Sequence, residues 1–169
     1  MNTHLDVIPV DAKYAIEHES NFWRVLRMVG DFCSAYGSED TGIGLAKEII
    51  DALHMEYPTT LVWLALDEDG LIRAYCVASI RQRGKVRWVE ISQLEGFDSA
   101  ECARGLVEGF KKIEKWGATF GATEVRLATL CEGDHGKITS SRARLFESMY
   151  GFHPHRILMS KPIEESKDE

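Results

Sequence analysis

The run "SSRARLFESMYGFHPHRILMSKPI", residues 140–163, decides how the chain is read. It reads as a helix over 139–149, a corner at Tyr150-Gly151-Phe152, and a strand over 155–161 that carries Met159.

Residues 5–10, "LDVIPV", read as a first strand that Pro9 restricts to an edge or end. Residues 12–36 read as one helix, because Phe22, Val25, Leu26, Val29, Phe32, Cys33 and Tyr36 recur at helical spacing. Gly37 ends it. In the loop "GSEDTG", Asp40 or Thr41 caps a second helix with Ala46, Ile49, Ile50 and Leu53 on one face. "TLVWLALDEDG", "LIRAYCVASIRQRG" and "KVRWVEISQLEG" follow as a meander of strands, with Asp69-Gly70 at its first turn. Alternation in the last of them puts Val86, Trp88, Glu90 and Ser92 on one face, and Arg87, Val89, Ile91 and Gln93 on the other. A long helix over 99–120 buries Ala103, Leu106, Val107, Phe110 and Ile113, "TEVRLATL" is a strand, and "CEGDHGK" is a loop. The order β-α-α-β-β-β-α-β-α-β predicts an α/β (α+β) single domain over 1–163. Its central sheet is mixed and mostly antiparallel, with helices on both faces. The charged residues 164–169 form a tail.

Composition agrees: 169 residues, 44% hydrophobic and 28% charged, suffice for one buried core. A formal net charge of −7 argues against a nucleic-acid surface, and "LVWLAL" is too short to span a bilayer. Cys33, Cys76, Cys102 and Cys131 are scattered, with no C-x-x-C pair, and "MNTHLDVIPVD" does not read as a signal peptide. A cytoplasmic protein is expected, of the expressing cell or of something replicating in it.

The element order, with "ALDEDGLIRAYCVASI", "GATEVRLATL" and "RLFESMYGFHPHRILMSKP", resembles the GNAT superfamily of acyl-CoA N-acyltransferases over residues 5–162. The Tyr-Gly-Phe-x-Pro-His-Arg run further resembles short GNAT-like proteins of tailed bacteriophages. The resemblance implies a Gln/Arg-x-x-Gly-x-Gly/Ala loop between the fourth strand and the long helix. Such a loop holds the CoA pyrophosphate on backbone N–H groups and the helix dipole. The matching place reads Gln93-Leu94-Glu95-Gly96-Phe97-Asp98: Gln93 and Gly96 match, and Asp98 replaces the last small residue. Aligned from the helix's other end, "ECARG", residues 101–105, covers the loop and offers Arg104 and Gly105. Either way Glu95, Asp98 and Glu101 put carboxylates near a pyrophosphate. Like charges about 4 Å apart repel by about 1 kcal/mol in water, and by more when partly buried. Asp98, Ser99 and Glu101 equally suit the capping and first turn of a helix.

The resemblance also implies a carboxylate on the fourth strand that takes the amine proton. Glu90 is the positional match, between Trp88 and Ser92. As plain structure it is a carboxylate on the open side of a sheet. A tyrosine on the last helix would return a proton to the leaving thiolate. Phe146 stands where it is expected, and Tyr150 is a nearby hydroxyl equally suited to packing at the Gly151 corner. Cys131, His135, His153 and His155 are zinc-ligand types, but their spacing matches no strong zinc motif, so no metal is expected. Gly42-x-Gly44 follows no strand, which sets aside a nucleotide loop. Arg142, Arg144 and Arg156 read as a solvated helix face able to meet an acidic partner or phosphate.

The incomplete loop and Phe146 point to a non-catalytic structural or assembly component, in a tailed-phage particle as the resemblance implies. It would contact copies of itself or other proteins, with no nucleic acid, no membrane and no cofactor. The alternative is an active acetyl-CoA-dependent N-acetyltransferase with Glu90 as general base. A gap beside the fourth strand plugged by Trp88, Phe97 or Trp116 would favour the first.

Overall fold

A computed structural model describes residues 5–36, 39–96, 100–127, 144, 147–148 and 150–152, the side chains of 36, 39–41 and 100–105 excepted. The chain divides into two compact units, Met1–Ala128 and Thr129–Glu169. In the first, the order is β1 (Asp6–Pro9), α1 (Ala12–Glu17), α2 (Glu19–Tyr36), α3 (Glu39–Ala52) and β2 (Thr60–Leu66). There follow β3 (Ile72–Arg83), β4 (Val86–Glu95), α4 (Ala100–Thr119) and β5 (Val125–Leu127). The strands lie side by side in sequence order, antiparallel except for the parallel pair β4 and β5. This is the mixed, mostly antiparallel sheet that the pattern predicts, with β1 and its Pro9 at one edge.

The helix expected over 12–36 is two. Asp11 caps α1 by accepting from the Tyr14 N–H, and His18 leaves helical geometry at φ −128°, ψ 48°. The break lets Tyr14 and Ala15 join Phe22, Val25, Leu26 and Val29 of α2 in one core cluster. Likewise α3 begins at Glu39, so Asp40 and Thr41 lie inside its first turn and do not cap it. Ile49 is buried there while Ile50 is exposed, a narrower apolar face than the spacing suggested.

Alternate sheet residues pack different helices. Val62, Leu64, Tyr75 and Val77 belong to the cluster with α2 and Ile49 of α3. Val7, Trp63, Ala65, Ala74 and Cys76 meet Leu106, Phe110 and Ile113 of α4 across the sheet, around a small apolar cavity. Each such Leu, Val or Phe stabilises the fold by about 1.5–3 kcal/mol when fully buried. The α4 contact is close: a Cβ on Gly109 would fall 2.7 Å from Val7 Cγ2, and one on Gly117 2.3 Å from Val89 Cγ2.

One irregularity positions the site. Val77 pairs with Gln93 and Ala78 with Ile91, so Ser92 is an extra residue in β4. A bulge of this kind interrupts the alternation of faces. Gln93, expected beside Val89 and Ile91, is turned instead toward α2, where its side chain reaches Val29 O.

In the second unit, Arg144, Glu147, Ser148 and Tyr150 are helical, and Gly151 follows at φ +69°, the left-handed step of the Tyr-Gly-Phe corner. The closing strand over 155–161, the loop "CEGDHGK", the domain end at 163 and the tail lie outside the described residues. Among the described residues no helix is long and apolar enough to cross a membrane.

Candidate functional site

The candidate base stands in the middle of β4. Glu90 pairs with Ser79 of β3 and with Arg126 of β5. Residues directly opposite share a face, so Glu90 shares the face of buried Ser79, whose Oγ lies 3.1 Å from Thr60 Oγ1. Glu90 is half-buried, and Trp88 Nε1–H, two residues earlier on the same face, donates to its Oε2 at 2.5 Å. The Arg126 guanidinium lies over the Trp88 ring, 4.0 Å from the centroid. Glu124 in turn holds Arg126.

A cation over an indole contributes about 0.5–2 kcal/mol, and a hydrogen bond to a charged group about 1.5–3 kcal/mol. The clamped indole therefore orients the carboxylate. Among the described residues no hydrogen bond reaches Glu90 Oε1, which leaves that oxygen able to accept a proton. Trp88 was legible beside Glu90 in the sequence. Arg126 was not, because nothing local announces how β5 pairs with β4 across α4.

Beyond the bulge β4 behaves differently. Gln93 is 3% exposed, and its Nε2 donates to Val29 O and Cys33 Sγ, each at 3.2 Å. Tyr75 Oη–H donates to Gln93 Oε1 at 3.2 Å, with Met28 O at 3.4 Å. Burial, then the nearby Glu95 carboxylate, Cys33 and Asp31, push the Tyr75 hydroxyl well above its usual range, so it remains a donor. The face expected for Gln93 is thereby corrected: its side chain is committed to the core, so any cofactor-binding role would fall to its backbone.

Gly96 does begin the connection to α4. Its φ is +91°, and a Cβ would meet Arg73 O at 2.1 Å and Ala74 Cα at 2.7 Å. Close approach to β3 alone requires glycine there. The alternative register, with Arg104 and Gly105 in the loop, is also corrected: α4 begins at Ala100, so 101–105 is helix. The connection is therefore 96–99, of which 97–99, including Asp98 and Ser99, lie outside the described residues. What the fold itself offers an anion here is the set of backbone N–H groups that a helix start leaves unsatisfied.

The remaining candidates divide simply. Trp116 packs edge-on to Trp63 of β2 and to Phe120. Tyr150 is half-buried at a helical position of the second unit, and Phe146 lies outside the described residues. Arg144 is exposed on that helix; Arg142 and Arg156 lie outside the described residues. Among the described residues no cluster of metal-ligand side chains occurs, and Cys131, His135, His153 and His155 are not among them. Cys33 and Cys76 are free and buried, and burial pushes the Cys76 thiol up to about 12, which makes it unreactive.

No protein-family model matches the chain, and neither does any curated protein. Solved structures do match. AAC(6')-Iy, in complex with the bisubstrate analog CoA-S-monomethyl-acetylneamine, is 16% identical with a TM-score of 0.61, over 95% of this chain and 99% of that one. The aminoglycoside antibiotic 6'-N-acetyltransferase AAC(6')-Ih from Acinetobacter baumannii is 15% identical with a TM-score of 0.59, over 95% and 99%. A mutant of the BH1408 protein from Bacillus halodurans is 17% identical with a TM-score of 0.57, over 94% and 99%. At these identities the likeness is one of fold. The chain has the GNAT-like α+β fold of these structures.

Proposed function

We propose that the protein is an acyl-CoA-dependent N-acyltransferase in which Glu90 takes the proton of an acceptor amine. The observation that carries this reading is the setting of Glu90: mid-strand, half-buried, one oxygen held by Trp88 and the other unengaged among the described residues, just before the Ser92 bulge. The fold it shares with AAC(6')-Iy, whose structure holds a CoA-containing bisubstrate analog, supports it.

Acetyl-CoA, when bound, supplies the thioester carbonyl and a thiolate leaving group. This chain's fit to it is through backbone: the first-turn N–H groups of α4, reached by way of Gly96, would hold the pyrophosphate. Glu90 Oε1 would accept the proton the amine loses as its nitrogen bonds to the acyl carbon. The departing thiolate can draw a proton from solvent, so Phe146 in place of a tyrosine does not prevent turnover.

A second reading is a scaffold for protein contacts, self or other, of the kind the phage resemblance implies. It is favoured by one observation: Gln93 and Gly96, which match the phosphate motif, each have a sufficient packing role. Calorimetric titration with acetyl-CoA separates the two. The enzyme reading expects a dissociation constant within the enzymatic range of about 1 μM–1 mM. It also expects Glu90→Gln to lower kcat by about 10²–10⁴ while leaving that constant unchanged. No heat at millimolar ligand removes it and leaves the scaffold.

A further inference from the structure

The hairpin of β3 and β4 extends beyond β2, whose last partner on β3 is Ser79. Its sequence from 81 to 87, "RQRGKVR", holds Arg81, Arg83, Lys85 and Arg87 and no acid, in a chain of net charge −7. All of these residues are exposed. Arg87 is occupied, donating to Gln82 Oε1 and Phe120 O. Arg81 and Arg83 form no ion pair among the described residues.

Register puts these two arginines on the working face. Ser79 opposes Glu90, Arg81 opposes Trp88, and Arg83 opposes Val86. Arg81, Arg83, Trp88, Val86 and Glu90 therefore share one side of the ribbon. Arg81 stands one two-residue step from the level of Glu90, about 7 Å, and Arg83 about twice as far. On the same face Arg126 is neutralised by Glu124 and committed to the indole, so it adds no free cation. Glu90 is thus flanked, on the open side, by two uncommitted guanidinium groups and an aromatic edge.

Two exposed arginines side by side repel one another unless an anion sits between them. Their planar forks match carboxylate or phosphate oxygens. We propose that the acceptor carries an anionic group, carboxylate or phosphate, a short spacer away from its amine, and that Arg81 and Arg83 bind it while the spacer lies along Trp88. This rests on the acyltransferase reading and names the substrate class of that site. The cationic hairpin would also draw such an acceptor toward a protein that is otherwise acidic.

The test follows thiol release from acetyl-CoA with amines of matched size bearing a carboxylate, a phosphate or no charge, and with a polycationic aminoglycoside. The anionic amines are expected to exceed the neutral one about tenfold in kcat/KM. Arg81→Gln and Arg83→Gln should each reduce that ratio about threefold, and added salt should erode it. Lys115→Gln, on the exposed side of α4, should leave it unchanged. Equal use of the neutral amine, or preference for the polycation, overturns the proposal while sparing the acyltransferase reading. Which anionic amine leads separates carboxylate from phosphate.

Thiol release from none of them counts instead against the acyltransferase reading. The subsite is then judged by NMR on the full-length 15N-labelled protein, from the Trp88 indole N–H resonance, assigned with Trp88→Phe. The anionic amines must shift it, and must shift it less in Arg81→Gln. No shift removes the subsite too.

Discussion

The two halves of β4 on either side of Ser92 hold similar polar residues and use them oppositely. Before the bulge, Glu90 is half-buried, oriented by one indole N–H and, among the described residues, otherwise unbonded. After it, Gln93 is buried and saturated, bonded to α2 twice and to Tyr75 once. A buried amide must satisfy all its groups, so it becomes a structural tie; a carboxylate at the margin of the core keeps one oxygen for chemistry. One extra residue in a strand separates these environments, because it decides what each following side chain faces.

The comparison breaks most severely at Gly96. Gly96→Ala forces an L-residue into positive φ and a methyl group against Arg73 O, which is expected to cost about 4 kcal/mol. The urea midpoint measures it; a loss below about 1 kcal/mol would mean that the turn relaxes and that Gly96 serves a ligand rather than the fold.

Gln93→Ala comes next, at about 2 kcal/mol, since Tyr75 Oη would keep only the longer contact to Met28 O. Its acetyl-CoA affinity should change little. The reverse outcome, intact stability with weakened binding, would restore Gln93 to the phosphate loop.

Trp88→Phe keeps a ring beneath Arg126 and deletes the donor to Glu90. Turnover is expected to fall about tenfold, with acetyl-CoA affinity and fold preserved. A rate equal to the parent's would show that the indole does not orient Glu90 for the reaction.

The smallest effect is alkaline. The Cys76 thiol is raised by burial from 9.0 to about 12, and the Tyr75 hydroxyl is also raised. Both stay protonated in the fold where the unfolded chain has begun to ionise. Their contribution is whole below about pH 9 and is lost as pH rises toward the folded values. Urea midpoints should decline from about pH 9 upward, less steeply in Cys76→Ala at the start of that range.

How much of this was legible follows from the range of each signal. The stripe Phe22, Val25, Leu26, Val29 and Cys33 is buried as its spacing required, because helical periodicity is a local property. The break at His18 was not legible: it depends on Tyr14 and Ala15 finding a core that the rest of the chain builds. Glu90 and its neighbour Trp88 could be named from alternation within one strand. Gln93 could not be placed, since alternation predicts one face until a bulge intervenes, and the bulge exists only in the pairing with β3. The helix starting at Ala100 likewise chose between two loop registers that the residues alone left open.

The amino-acid sequence by itself therefore determined the meander of strands, the apolar stripes and the candidate carboxylate, all of which depend on neighbours a few residues apart. Tertiary structure alone decided which face Gln93 serves, brought Arg126 over Trp88, and set Arg81 near Glu90. Those outcomes depend on register between strands, and register is a property of pairs of segments that no single segment carries.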